Sequence, residues 1–94
     1  MARLVLKFGG TSVADVSRIK NAAQKVLREH QLGHQVVVVV SAMAGVTNAL
    51  VDYCRSAKSD FDWRNYDAVV ASGEQVTSGL MAIALQELGD RKSV

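Results

Sequence analysis

Three short segments hold most of the residue types that could do chemistry. The first, Lys7-Phe8-Gly9-Gly10-Thr11-Ser12, follows an apolar run and sets a cation beside two adjacent glycines. Glycine lets a backbone come close to a ligand. The amide N–H groups of such a loop, and of a helix that follows it, favour an anion. Lys7 adds a full positive charge, so a phosphate chain suits this segment. It matches neither common phosphate fingerprint: no Gly-Lys-Ser/Thr follows at Walker spacing, and Gly-x-Gly-x-x-Gly is missing. Read for structure alone, the same residues are a strand turning through Gly-Gly into a helix with Lys7 in solvent. The spacing does not choose between the two.

The second segment is Ser41-Ala42-Met43-Ala44-Gly45-Val46-Thr47-Asn48. Its small residues again permit close approach, and Ser41, Thr47 and Asn48 supply hydroxyl and amide groups. Thr47 serves equally well as a helix cap. The third is Ser72-Gly73-Glu74-Gln75. A glycine inside a helical stretch costs about 1 kcal/mol relative to alanine, which predicts a break there, with Glu74 in the first turn of a new helix. A carboxylate in that position suits the helix dipole, and from the residues alone capping is the preferred role of Glu74.

Other reactive types carry less. His30 and His34 flank Gly33 with no cysteine or carboxylate cluster around them, and Cys54 lies on an apolar helix face as a core thiol. Trp63 and Tyr66 suit either a cover over the core or a subunit contact. Met81, Ile83, Ala84, Leu85 and Leu88 read as packing residues.

The elements that must position these segments follow from periodicity. Arg3 to Phe8 is a short apolar run ended by glycines, which predicts a buried strand. From about Asp15 to Gln31, Val16, Ile19, Ala23, Val26 and Leu27 recur at helical spacing, with Asp15 as N-cap and Gly33 as the stop. Val36 to Val40, without polar alternation, predicts a strand covered on both faces, as in a parallel sheet. A second helix is expected from about Val46 to Ala57. Ser59 to Asn65 reads as irregular, Tyr66 to Leu88 as two helices meeting near Gly73, and Lys92 to Val94 as the start of a third strand. Strand–helix–strand–helix–helix opens an α/β layered fold. Such sheets bind ligands at the carboxyl ends of their strands, which is where the first two segments fall. The unpaired edges of so small a sheet make this the start of a domain rather than a finished one.

Composition bounds the rest. Of 94 residues, 49% are apolar and 21% charged, an ordinary globular balance. A net charge of +2 gives no reason to expect a nucleic-acid or anionic-membrane partner. One cysteine excludes an internal disulfide framework and fits a reducing cytoplasmic setting. The N-terminal apolar stretch is cut by Lys7 and Gly9, too early for a signal-peptide core. Val36 to Val40 is far short of the roughly 20 residues that span a bilayer, so a soluble chain is expected.

Lys7-Phe8-Gly9-Gly10-Thr11-Ser12-Val13-Ala14 resembles the aspartokinase signature of the amino-acid kinase family. Ser41 to Asn48 is similar to that family's second motif, and Ser72-Gly73-Glu74-Gln75 to its third. The resemblance spans the whole chain. It implies a three-layer α/β/α sandwich on a mainly parallel sheet, of which these residues form the N-terminal part. The remaining catalytic segment and ACT regulatory domains would lie beyond them. It further implies transfer of the ATP γ-phosphate, as the Mg2+ complex, to the side-chain carboxylate of L-aspartate. The product, 4-phospho-L-aspartate, opens lysine, threonine, methionine and diaminopimelate biosynthesis. In the roles so implied, Lys7 is catalytic and stabilises the moving phosphoryl group; Phe8, Gly9, Gly10 and Ser41 bind ATP. Thr47 and Glu74 bind aspartate, Glu74 through its amino group. A cytoplasmic homo-oligomer, a dimer in the full-length protein, would be usual.

Two alternatives remain. One is a relative acting on glutamate, N-acetylglutamate, carbamate or a nucleoside monophosphate, against which Thr11-Ser12-Val13 and Ser72 to Gln75 speak. The other is a non-catalytic nucleotide-binding or subunit module. The 94 residues alone are not expected to be a competent kinase.

Overall fold

The computed structural model describes residues 2–58 and 63–89. Its elements are β1 (Arg3–Phe8), α1 (Val16–Gln31), β2 (Gln35–Val40), α2 (Val46–Ala57) and α3 (Trp63–Glu87). The two strands pair in parallel, in register from Arg3 opposite Gln35 to Phe8 opposite Val40.

Helix α1 begins where Asp15 accepts the Arg18 N–H at 2.9 Å. It buries Ile19, Ala22, Ala23 and Val26, one stripe at helical spacing. It ends where the Gly33 N–H reaches the His30 carbonyl at 3.0 Å with φ of 90°, a left-handed turn that favours glycine. The stripe meets β2 and α3 in a core of Val13, Ile19, Ala22, Ala23, Val40 and Met81. Phe8, Val38 and Met43 pack against it.

Three expectations are corrected. Both strands are covered on one face only: in β1, expected to be buried, Val5 is 69% exposed, and in β2 Val36, Val38 and Val40 turn inward whereas Val37 and Val39 are 57% and 44% exposed. The valine run is a strand because β-branched side chains suit the pleat. Helices α1 and α3 pack on each other and on β2, and α2 packs on α3, while Val5, Val37 and Val39 on the other side of the sheet stay exposed.

Gly73 does not break a helix either, since α3 runs unbroken for 25 residues. A Cβ at Gly73 would lie 3.0 Å from Val46 Cγ1, 3.1 Å from Ala42 Cβ and 3.2 Å from Leu50 Cδ1. The glycine is there for the approach of α2 and the loop before it. Buried Thr77 donates its hydroxyl to the Gly73 carbonyl at 3.2 Å.

The third correction concerns Trp63 to Asn65, expected to be irregular, which forms the first turn of α3. Trp63 meets Tyr66 edge to face, ring centres 5.3 Å apart. Phe61 and the strand expected at Lys92 to Val94 lie outside the described residues. By length and composition alone α3 is apolar enough to span a membrane. Here it is a packing helix, its Gly73, Thr77 and Met81 buried against protein.

Candidate functional site

The first loop leaves β1 at Phe8 and is closed by the Ser12 N–H on the Gly9 carbonyl at 3.0 Å. Two side chains anchor it. Val13 is fully buried in the core, and Arg18 Nη1 donates to the Thr11 carbonyl at 3.2 Å. Neither anchor stood out in the sequence, because a valine and a helix-surface arginine carry no signal until the loop is seen folded over α1.

Gly9 and Gly10 contrast with the other loop glycines. Gly33 and Gly45 have φ of 90° and 77°, but Gly9 and Gly10 have no positive φ, and a Cβ on either would meet nothing within 4 Å. Among the described residues nothing in the packing requires glycine at these two positions, and both leave room for close approach. Lys7 stands beside them, exposed, opposite Val39 on the open face of the sheet. No carboxylate pairs with it among the described residues.

The second loop is joined to the first by the Ser41 N–H on the Phe8 carbonyl at 3.2 Å. The Ser41 hydroxyl oxygen is buried and has no hydrogen-bond partner among the described residues. Such a group is costly to leave unmade. Thr47 is not a cap. Helix α2 starts after Gly45, no side chain caps it, and Thr47 is exposed in its first turn. The helix N-terminus open to an anion is therefore that of α2. At α1, where free amides were expected, Asp15 already occupies the Arg18 N–H.

Glu74 lies on the exposed side of α3, about three turns inside the helix, so the capping reading fails for it too. It lines an open recess of about 580 Å3 with Gln75, Ser78 and Val38 to Val40, at the outer edge of β2. Gly73, one residue before, is packed on Ala42 and Val46 of the second loop. All three segments thus gather at the carboxyl end of the sheet. Ser72 is turned inward along its own helix, its hydroxyl donating to the Val69 carbonyl at 2.6 Å.

The remaining candidates lie elsewhere. His34 is at the opposite end of the strands, where its Nδ1 accepts from the Ala2 N–H at 3.2 Å. Cys54 is half-buried in an apolar groove between α2 and α3, with Tyr53, Tyr66 and Val69.

Comparison with known proteins gives the family. The profile of the amino acid kinase family matches residues 2–90. Aspartokinase 2 of Bacillus subtilis is 49% identical over 89 residues, which is 95% of this chain and 22% of that protein. Aspartokinase of Rickettsia felis is 50% identical over 90 residues, 93% of this chain and again 22% of the relative. The crystal structure of aspartate kinase from Synechocystis superimposes with a TM-score of 0.87 at 45% identity, covering 90% of this chain and 15% of that one. This chain therefore spans about a fifth of the length of such relatives, and its two-stranded parallel sheet and helices have the α/β fold of their kinase domain. By sequence and by fold, the chain belongs to the amino acid kinase family.

Proposed function

We propose that these residues form the phosphate-handling part of an aspartate kinase. The reaction would move the γ-phosphoryl group of ATP to the side-chain carboxylate of L-aspartate, giving 4-phospho-L-aspartate and ADP. That is the first step toward lysine, threonine and methionine. The observation that carries this reading is the pair Gly9–Gly10, which the fold does not require, beside the unpartnered Ser41 hydroxyl. The aspartokinase names of the relatives supply the acceptor.

A carboxylate is already nucleophilic at neutral pH, so no general base is needed. The difficulty is bringing one anion against another. Catalysis then rests on positioning and charge neutralisation. In this reading the amides of Gly9 and Gly10 bind phosphate oxygens, and Phe8 fixes the start of their loop through its carbonyl. Lys7 stabilises the group in transit, while Ser41 donates its hydroxyl to a phosphate oxygen. Thr47 and the open amides of α2 orient the aspartate carboxylate, and Glu74 pairs with its ammonium group. Among the described residues no cluster of acidic side chains or histidines is arranged to hold a metal. In this reading Mg2+ enters as the complex of ATP, whose charge it offsets.

The test is a hydroxamate trap for the acyl phosphate, using the longest natural form of the chain with Mg-ATP. Product is expected with L-aspartate and not L-glutamate, and Lys7→Ala is expected to lower the rate by on the order of 10² to 10³. ATP binding with no product from any acceptor would replace this reading with a nucleotide-binding module.

A further inference from the structure

On the helix side of the first loop lies a second recess, built largely from residues to which no role has been given. Phe8 and Ala22 form its floor; Ser12, Arg18, Asn21 and Lys25 form its walls, around a volume of about 160 Å3. Arg18, Asn21 and Lys25 share one face of α1 by their three- and four-residue spacing. The lining holds two cations, an amide and a hydroxyl, and no carboxylate.

Neither cation is in a salt bridge among the described residues, although the Asp15 carboxylate caps the Arg18 N–H and Glu29 borders the adjoining recess with Lys25. Among the described residues no carboxylate lies within ion-pair distance of Arg18 or Lys25; the pair that does form is His34 with Glu29, at 3.9 Å. Arg18 is also held in place at both ends. Its backbone N–H is fixed by Asp15 at 2.9 Å, and its Nη1 by the Thr11 carbonyl at 3.2 Å. A guanidinium has five N–H donors, and Thr11 takes one. Two like charges facing one small recess with no carboxylate in its lining concentrate positive potential there.

We propose that this recess is an oxyanion subsite that takes a single phosphate group. Its volume suits a compact tetrahedral anion, and its donors match one: a fork from Arg18, an ammonium, an amide N–H and a hydroxyl. It centres on Ser12, Arg18 and Asn21, whereas Lys7 lines an adjoining recess with Arg28 and Glu29 that shares only Phe8 and Lys25 with it. The proposal deepens the phosphate reading of the first loop, and rests on it only for the source of the anion. A nucleotide phosphate and free inorganic phosphate present the same chemistry.

The experiment is an amide-resolved NMR titration of the 94-residue chain with inorganic phosphate and, separately, with ADP, at constant ionic strength set by chloride. Variants are Lys25→Gln and Asn21→Asp, both at exposed helix positions, and Lys7→Ala. Saturable shifts at Ser12 and Arg18 are expected, weakened on the order of tenfold by either recess variant and retained in Lys7→Ala. An equal loss for ADP assigns the anion to the nucleotide; a loss for inorganic phosphate alone assigns it to the free ion. Shifts confined to Gly9 and Gly10, abolished by Lys7→Ala and indifferent to Asn21→Asp, would overturn the subsite. So would an equal response to added chloride. Calorimetry on the longer natural chain with the same variants reads the same comparison if the short chain is poorly folded. Because the inorganic phosphate arm needs neither aspartate nor turnover, failure of the kinase reading leaves it intact.

Discussion

Gly9 and Gly73 serve opposite purposes in this chain, and substitution separates them. Gly9→Ala places a methyl group in open space at a backbone angle alanine accepts. Its stability is expected to stay within about 0.5 kcal/mol of wild type, while affinity for ADP falls, as thermal melts and calorimetry would show. Gly73→Ala is the reverse case. Its methyl group would meet Val46 at 3.0 Å, and overpacking costs about 1–3 kcal/mol. The helical preference of alanine returns only about 1 kcal/mol of that. A net loss of up to about 2 kcal/mol is expected in urea unfolding, and a variant as stable as wild type would show that α2 can move away freely. At Glu74 the expected effect is on selectivity: Glu74→Gln should reduce the preference for L-aspartate over a dicarboxylate lacking the amino group.

Helices α1 and α2 differ at their N-termini in a way that assigns them different work. Asp15 satisfies α1, and a capping carboxylate replaced by alanine typically costs about 1 kcal/mol. Asp15→Ala should therefore lower stability by about that amount and loosen the first loop, since the Arg18 that it fixes also holds the Thr11 carbonyl. Helix α2 has no side-chain cap, so its free amides are available to a ligand anion. The core stripe of α1 is the element that keeps the two loops side by side. Ile19 is 1% exposed, and Ile19→Ala should cost about 2–5 kcal/mol in chemical denaturation, with loss of both loops as a pair.

As a whole, the molecule is more open than its mass requires. Its Cα radius of gyration is 15.5 Å, against about 12 Å for a closed domain of this length. Its surface of 6680 Å2 exceeds the roughly 5,300 Å2 expected at 10.1 kDa. Part of the exposed apolar surface is the bare sheet face, where Val5, Val37 and Val39 are 69%, 57% and 44% exposed. Small-angle scattering of the 94-residue chain should give a radius closer to the larger value. Val37→Thr should be nearly silent in that chain, within about 0.5 kcal/mol. In a protein of the length of the relatives it should be destabilising, if further chain covers that face. Equal effects in both would mean that the face stays open.

Both strands, the extent of α1 and α2, the Asp15 cap and the Gly33 stop were legible from local signals: β-branched runs, helical periodicity and short-range hydrogen bonding. The candidate positions Lys7, Gly9, Gly10, Ser41 and Thr47 stood out as residue types in or beside glycine-bearing loops, and Glu74 as a carboxylate beside a glycine. What one chain segment does to another was not. That Gly73 admits α2, that α1 is already capped and α2 is not, and that β2 is covered on one side are facts about approach between segments distant in sequence. The sequence by itself determined which residues could bind an anion and which runs would be strand or helix, because those depend on neighbours within a few residues. Only the tertiary structure decided which glycines are free for a ligand, which hydroxyl lacks a partner and which cations share a recess, because each depends on distances that exist only after the segments have packed.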